Sequence, residues 1–131
     1  MKRIEVAVGI ITNKRGELLV GQRIVKDRYF EKWEFPGGKL EIKETAKEAL
    51  TRELKEELGI EVIETQEVIT LSHDYSDRQV KLFVQKIISY HGVPKGIEGQ
   101  ALKWVELNDI KNLDMLEGNY QIIDFLDSFE H

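Results

Sequence analysis

The sequence has no cysteine and only two prolines among its 131 residues. Without cysteine, the chain can form no disulfide and perform no thiol catalysis. Basic residues are also outnumbered, since 19 lysines and arginines face 24 aspartates and glutamates and leave a net charge of −5. Non-specific binding to nucleic acid or to an anionic membrane requires a basic surface, so the composition argues against both.

Long apolar runs are missing as well. No stretch approaches the roughly 20 apolar residues of a membrane-spanning helix, and the first residues lack the layout of a signal peptide. We therefore expect a cytoplasmic protein. The length and a hydrophobic content of 41% predict one domain over residues 1–131, with a sizeable core.

The most informative segment is a glutamate-rich helical pattern that follows the Pro-Gly-Gly turn at 36–38 and ends at Gly59. Glycine is favoured at this end because the residue after a helix often takes a left-handed conformation. At about 100° per residue, one sector of the helix is apolar and must face a core. Its members are Ala46, Ala49, Leu50 and Leu54. Glu53 and Glu57 lie inside this sector, and Glu56 lies at its edge.

A solvated face with i,i+4 ion pairs is the plainer interpretation of such a helix. It explains Glu48 and Arg52, which have that spacing, but it does not explain carboxylates that point toward the protein. Like charges that are close together and partly desolvated raise one another's pKa and are costly unless a cation neutralises them. An all-oxygen ligand set suits Mg²⁺ or Mn²⁺, so the pattern predicts a carboxylate–metal site.

The stretch from residue 38 to residue 60 resembles the Nudix box, Gly-x5-Glu-x7-Arg-Glu-U-x-Glu-Glu-x-Gly-U, where U is a bulky aliphatic residue. All nine specified positions match: Gly38, Glu44, Arg52, Glu53, Leu54, Glu56, Glu57, Gly59 and Ile60. Outside the box, the segments WEFPGGKLE, Asp77-Arg78 and GIEGQALKWVEL resemble the MutT branch of the family in order and spacing. That branch removes oxidised guanine nucleotides.

The resemblance implies an α/β/α sandwich with a mixed β-sheet between helices, and the residue pattern agrees with this α/β (α+β) class. Alternating apolar residues predict six strands, at 2–12, 17–23, 34–35, 61–72, 79–89 and 101–107. Turns at 13–16 and 73–78 predict two hairpins. A short helix is expected near 108–113, and a final helix at 119–129.

The resemblance also implies a reaction and its residues. In MutT-type enzymes water attacks the β-phosphorus of a nucleoside triphosphate, which yields the monophosphate and pyrophosphate. The implied metal ligands, for Mg²⁺ or possibly Mn²⁺, are the Gly37 carbonyl, Glu53, Glu56, Glu57 and Glu98. Arg52 is expected to orient these carboxylates, and Glu44 to support the loop before the helix or an outer metal ion. Either Glu53 or Glu98 serves as the general base, and the sequence leaves this choice open.

For the substrate, the resemblance assigns Arg23 to phosphate or sugar, Phe35 to the base pocket and Arg78 to the base plane. The amide of Asn119 can read O6 and the N7–H that oxidation adds to guanine. An N-cap of the last helix is the alternative role for Asn119. Three departures from the branch bear on the substrate: Lys43 in place of glycine, the segment EGNYQII around the asparagine, and Tyr75 in place of an apolar aromatic.

Three functions remain open at this point. The first is an 8-oxo-dGTP pyrophosphohydrolase that cleans the nucleotide pool and so contributes to DNA repair. The second is a Nudix hydrolase for CTP-like pyrimidine nucleotides, dihydroneopterin triphosphate or several nucleotides. ADP-ribose is disfavoured because that branch has a proline about fifteen residues past the box, and this chain has only Pro36 and Pro94.

The third function is a non-catalytic nucleotide-binding or RNA-binding domain, which the intact set of box glutamates disfavours. The expected partner is a small-molecule nucleotide, with no nucleic acid polymer and no membrane. A monomer or homodimer is expected.

Overall fold

The computed structural model describes residues 2–128 and arranges them in seven strands and three helices. The strands are β1 (Lys2–Ile10), β2 (Leu18–Gln22), β3 (Trp33–Glu34), β4 (Gly37–Lys39), β5 (Glu61–Asp74), β6 (Arg78–His91) and β7 (Leu102–Val105). The helices are α1 (Ala46–Leu58), α2 (Leu107–Ile110) and α3 (Gly118–Asp127). No helix in this part of the chain is long and apolar enough to cross a membrane.

The strands form two sheets. The larger has the order β4-β1-β6-β5, with β1 and β6 parallel and the other pairs antiparallel. The smaller is antiparallel, with the order β3-β2-β7. The predicted mixed sheet is therefore confirmed.

Strand β1 is covered on both faces, which explains its continuous apolar run. Ala7 packs in one core with the apolar face of α1, and Val8 and Ile10 pack in a second core with α3. Successive side chains of a strand point to opposite faces, so a strand between two cores needs apolar residues at every position. Helices thus lie on both sides of the larger sheet, as the sandwich prediction requires.

Both ends of α1 are fixed by local contacts. The Thr45 hydroxyl accepts a hydrogen bond from the Glu48 backbone, and the Glu48 carboxylate accepts one from the Thr45 backbone, which together form a capping box. Gly59 ends the helix in a left-handed conformation with φ of 69°. Leu50, Leu54 and the other apolar positions of the predicted sector are buried. The register of the glutamates along α1 is therefore set at both ends.

The predicted hairpin of the first two strands forms only around its turn, where the backbone N–H of Asn13 donates to the Glu17 carbonyl at 3.1 Å and that of Leu19 to the Ile11 carbonyl at 3.0 Å. β1 and β2 belong to different sheets, and a single bridge between Thr12 and Leu18 joins this part of the chain. The pairing does not extend into β1 itself, because β4 and β6 occupy the two edges of that strand.

Several boundaries also differ from the prediction. The second hairpin is confirmed, but β5 and β6 pair further, so that only residues 75–77 form its tip. Helix α2 begins at Leu107, after Glu106, and not after the Asn108-Asp109 pair. Helix α3 begins at Gly118, one residue before the expected start. The expected end of the last helix at residue 129 lies outside the described residues.

Candidate active site

A cleft of about 230 Å³ opens beside the C-terminal half of α1. Strands β2 and β4 and the loop 92–100 form its other walls. Four carboxylates line it: Glu34, Glu53, Glu57 and Glu98. Three of them are predicted site residues, and the predicted ligand Gly37 lines the same cleft.

Glu57 is the most strongly perturbed of these groups. Burial raises the pKa of its carboxyl to about 9, and the nearby charges of Glu53, Glu34 and Glu98 raise it further in the same direction. At neutral pH the carboxyl therefore holds a proton when no cation is bound. A divalent cation reverses this preference because its charge favours the deprotonated ligand. The carboxylate set fits a hard divalent ion on this ground.

The carboxylates are not yet arranged around a single point. Within residues 2–128, no three histidine or acidic side chains converge closely enough to hold one ion. Glu53 and Glu57 instead share a hydrogen bond with each other.

Two glycines allow β4 to approach its neighbours closely, Gly37 against β1 and Gly38 against Glu53 of α1. A Cβ atom on Gly37 would lie 2.0 Å from the Ala7 carbonyl oxygen, which is far inside van der Waals contact. A Cβ atom on Gly38 would lie 2.2 Å from Cδ of Glu53. Because Gly38 has no side chain, the side chain of Glu53 can lie directly against the backbone of β4.

Arg52 links two of the predicted residues. Its Nε and Nη2 donate to both carboxylate oxygens of Glu44, at 2.7 and 2.9 Å, and its Nη1 donates to Oε1 of Glu53 at 2.7 Å. These bonds from Arg52 are the main reason that the pKa of Glu44 falls to about 2. Arg52 lines neither the cleft nor the second cavity described below, so it acts on the cleft through Glu53.

Glu56 is placed differently from the other predicted ligands. Its side chain is 57% exposed and lies 3.6 Å from Arg52, outside the cleft lining. The structure therefore brings Glu53, Glu57 and Glu98 together at the cleft but not Glu56. This placement follows from the edge position of Glu56 on the helix.

A second cavity of about 370 Å³, here called the base pocket, lies next to the cleft. All four predicted substrate residues line it: Arg23, Phe35, Arg78 and Asn119. The two cavities share Arg23, Val25, Glu34 and Gly37 in their linings. A molecule that fills both cavities therefore runs along the wall that they share.

Asn119 is buried in the first turn of α3, and its role as an N-cap is wrong. Its Oδ1 accepts a hydrogen bond from the backbone N–H of Phe35 at 2.9 Å. Because that N–H can only donate, the amide atom that faces it must be the oxygen. The amide nitrogen Nδ2 is then left as a donor in the pocket without a partner among the described residues. The Tyr75 hydroxyl performs the capping instead, because it accepts from the backbone N–H of Gly118 at 2.8 Å. This explains the departure at Tyr75.

The departure at Lys43 has a conformational counterpart. Lys43 has φ of 67°, in the left-handed region that glycine adopts most easily. The backbone conformation at this position is therefore one that the family's usual glycine adopts easily, although this chain has a lysine there.

Two residues of the site were not predicted from the sequence. Glu34 lies at the wall between the two cavities, 3.2 Å from Arg23, and desolvation raises the pKa of its carboxyl. Gln100 joins the loop of Glu98 to α1, because its amide donates to the Glu57 carbonyl and accepts from the Glu98 backbone, each at 3.0 Å. A charged residue between Trp33 and Phe35 was an available signal for Glu34, whereas nothing in the pattern distinguishes Gln100.

The comparison with known proteins identifies the family. The model of the NUDIX domain matches residues 1–126. This chain belongs to the Nudix family. This chain is 35% identical over 123 residues to an 8-oxo-dGTP diphosphatase of Escherichia coli (strain K12). The aligned residues cover 94% of this chain and 95% of that protein.

Two further comparisons are informative. A CTP pyrophosphohydrolase of the same organism is 39% identical over 104 residues, with 79% of this chain and 76% of that protein covered. Among solved structures, that of the E. coli ORF135 protein superimposes with a TM-score of 0.86 at 32% identity, covering 99% of this chain and 92% of the other. The Nudix sandwich predicted from the sequence is confirmed.

The reaction class follows from the family. The chain is a MutT-type Nudix hydrolase, an enzyme that cleaves phosphoric anhydride bonds. Nudix hydrolases depend on a divalent metal ion, in agreement with the carboxylate cleft. The non-catalytic alternative is thereby disfavoured further.

Proposed function

We propose that this Nudix hydrolase converts 8-oxo-dGTP to the monophosphate and pyrophosphate with Mg²⁺, or Mn²⁺ in its place. One observation carries the proposal: the base pocket, with Asn119, and the carboxylate cleft meet at the wall formed by Arg23, Glu34 and Gly37. A base bound beside Asn119 therefore directs its phosphates toward Glu53 and Glu57. The names of several relatives support the same substrate.

The reaction needs neutralised phosphates and a positioned water more than covalent catalysis. A bound Mg²⁺ supplies the charge that neutralises the phosphate oxygens. Its proposed ligands are the Gly37 carbonyl, Glu53, Glu56, Glu57 and Glu98. Arg52 holds the Glu53 carboxylate through Oε1, and Glu44 in turn holds Arg52.

The attacking water forms a bond to the β-phosphorus while the bond to the oxygen between the α- and β-phosphorus atoms breaks. The proton of the water passes to a carboxylate oxygen of Glu53 or of Glu98. In Glu53, Oε1 accepts from Arg52, and the carboxylate also shares a hydrogen bond with Glu57. Glu98 is exposed on a loop that Gln100 fastens to α1, and it can reach the water from the opposite wall. Both candidates are retained.

Base recognition is assigned to the pocket residues. The Nδ2 group of Asn119 donates to O6 of the base, and the second lone pair of its Oδ1 accepts from N7–H. Phe35 and Arg78 contact the base plane, and Arg23 contacts phosphate or sugar. In this arrangement unoxidised guanine loses one hydrogen bond, because its N7 has no hydrogen.

A CTP-like pyrimidine nucleotide is the second candidate substrate. It is favoured by the relative named CTP pyrophosphohydrolase, whose identity of 39% exceeds that of the 8-oxo-dGTP diphosphatase of the same organism. In the cell, the primary proposal implies cleaning of the nucleotide pool, which keeps oxidised guanine out of DNA. In that role we expect the enzyme to act on a free nucleotide in the cytoplasm, as a monomer or a homodimer.

The test compares kcat/KM for 8-oxo-dGTP, dGTP, CTP and dCTP with Mg²⁺ and identifies the products by ion exchange. The proposal expects 8-oxo-dGTP to exceed dGTP by orders of magnitude and to release pyrophosphate. Asn119→Ala should remove most of this preference, and Asn108→Ala, at an exposed asparagine outside both cavities, should retain it. A higher kcat/KM for CTP would overturn the assignment of the base while leaving the reaction class intact.

A further inference from the structure

The base pocket contains two arginines whose guanidinium groups are incompletely hydrogen bonded. In both Arg23 and Arg78, the Nε atom is buried and has no hydrogen-bond partner among the described residues. A buried N–H without a partner is costly. The Nη atoms of Arg23 are held by ion pairs with Asp27 and Glu34, whereas Arg78 makes no ion pair within residues 2–128 and needs another contact to hold its side chain. The structure shows such a contact, on an aromatic ring that the sequence pattern did not point to.

Tyr29 lies against both arginines. Its ring centroid is 5.0 Å from Cζ of Arg78 and 5.9 Å from Cζ of Arg23. Cations within about 6 Å of a ring centroid are attracted by the negative face of the ring. The ring also meets Tyr75 edge to face, at 5.4 Å between centroids, and Tyr75 in turn lies 5.7 Å from Arg78.

The hydroxyl of Tyr29 fastens its loop to the other side of the pocket. It donates to Oδ1 of Asp77 at 2.8 Å, and the neighbouring Arg28 bonds the hydroxyl of Ser76. Tyr29 belongs to the loop 23–32, and Asp77 belongs to the tip between β5 and β6. The loop is therefore docked next to Arg78 by contacts from two successive residues.

We propose that Tyr29 is a positioning residue of the base pocket: its ring holds Arg78, and more weakly Arg23, where a bound nucleotide meets their guanidinium groups. Tyr29 itself lines neither the pocket nor the cleft, so it acts through the arginines. The inference rests on the proposed function, since it concerns how the same pocket binds a nucleotide. It predicts an effect on substrate binding and little effect on the chemical step.

The test is a double-mutant cycle on Tyr29 and Arg78, read as KM and kcat separately. Y29L removes the ring and should raise KM by about tenfold, the fold-change that corresponds to a contact of about 1.4 kcal/mol. Its kcat should stay within about twofold, because the carboxylate cleft is untouched. In the R78L background, Y29L should raise KM much less than it does in the wild type, because the partner of the ring has gone.

Two further variants separate the ring from the loop. Y29F keeps the ring and loses only the bond to Asp77, so its KM should stay within about twofold of wild type. F30L removes the adjacent aromatic of the same loop, which is 40% exposed and lines neither cavity, and it should leave both constants unchanged.

The proposal is overturned if Y29L has the KM of the wild type, or if its fold-change is the same with and without Arg78. An increase of about tenfold in the KM of Y29F would also overturn it, and this test can be made even if Y29L fails to fold. If the wild type prefers another nucleotide to 8-oxo-dGTP, the proposed substrate is wrong and the cycle is run with the preferred one. A failed cycle in an active enzyme concerns Tyr29 alone.

Discussion

At the scale of single residues, the protonation of Glu57 connects folding with catalysis. The protein holds a carboxyl in a place where its negative charge is unfavourable until a cation arrives. The burial that raises the pKa of Glu57 also keeps its carboxyl in the cleft and away from solvent. Glu56, at the edge of the apolar sector, has no such constraint and remains exposed.

Glu57→Gln tests the importance of that carboxyl. Glutamine keeps the shape of the protonated side chain but cannot give up a proton to become an anionic ligand. We expect kcat/KM with Mg²⁺ to fall by more than about a hundredfold, since even residues that only support a ligand cost up to that factor. The variant should still fold, because no charge is left buried in the metal-free cleft.

Glu64→Gln on the exposed surface of β5 is the matched control, and its activity should stay within about twofold of wild type. Hydrolysis by Glu57→Gln at the wild-type rate would show that the metal site has been assigned to the wrong carboxylates.

The residues of the site were predictable to different degrees, for a physical reason. Glu53 and Glu57 could be placed because both lie on one helix, where angle follows directly from spacing. Gln100 and Tyr29 could not be placed, since their roles depend on contacts between loops that are distant in sequence. Asn119 was located correctly, but its bond to the Phe35 backbone needs the three-dimensional structure.

At the scale of elements, the same distinction separates α1 from the first hairpin. Capping residues and apolar spacing define α1 from within, so the helix was predicted with its end at Gly59. Strand pairing is different, because alternation shows that a strand exists without showing its partner. The run of β1 is compatible with pairing to β2, and only the neighbouring positions of β4 and β6 decide against it.

Helix α3 illustrates an element stabilised by a distant side chain. Its own N-cap residue, Glu117, makes no side-chain capping bond, and the hydroxyl of Tyr75 accepts from Gly118 instead. This bond also lies one residue away from Asn119. The start of the helix and the position of the amide proposed to read the base are therefore held by one contact.

Tyr75→Phe should affect both properties together. The variant leaves the buried backbone N–H of Gly118 without a partner, so the free energy of unfolding should fall by about 1–3 kcal/mol. KM for the nucleotide should rise as the first turn of α3 loosens around Asn119. Urea denaturation and steady-state kinetics measure the two effects. If Tyr75→Phe is clearly destabilised but keeps the KM of the wild type, the cap does not contribute to base binding. Tyr90→Phe in β6 serves as the control.

At the scale of the whole molecule, charge makes nucleotide binding dependent on a cation. The chain carries a net charge of −5, and four carboxylates line the cleft that is to receive phosphates. A polyanionic nucleotide is repelled by this surface unless a divalent ion intervenes. Binding of substrate and binding of metal should therefore be coupled.

The thermal stability of the protein measures this coupling. A non-hydrolysable imido analogue of dGTP with Mg²⁺, at about 100 times its Kd, should add about 2.7 kcal/mol to the free energy of unfolding and raise Tm. Addition of a chelator should abolish the rise, and Mg²⁺ without the analogue should give a smaller one. An equal rise in the presence of chelator would mean that the nucleotide binds without the metal.

The two cavities draw on different parts of the chain. The cleft depends on α1 and the loop 92–100, whereas the base pocket depends on the tip between β5 and β6 and on the start of α3. Mutations that accumulate in the pocket can change the preferred base while the hydrolytic residues stay intact. Lineages of this protein can thus acquire new substrates by gradual drift, without passing through an inactive ancestor.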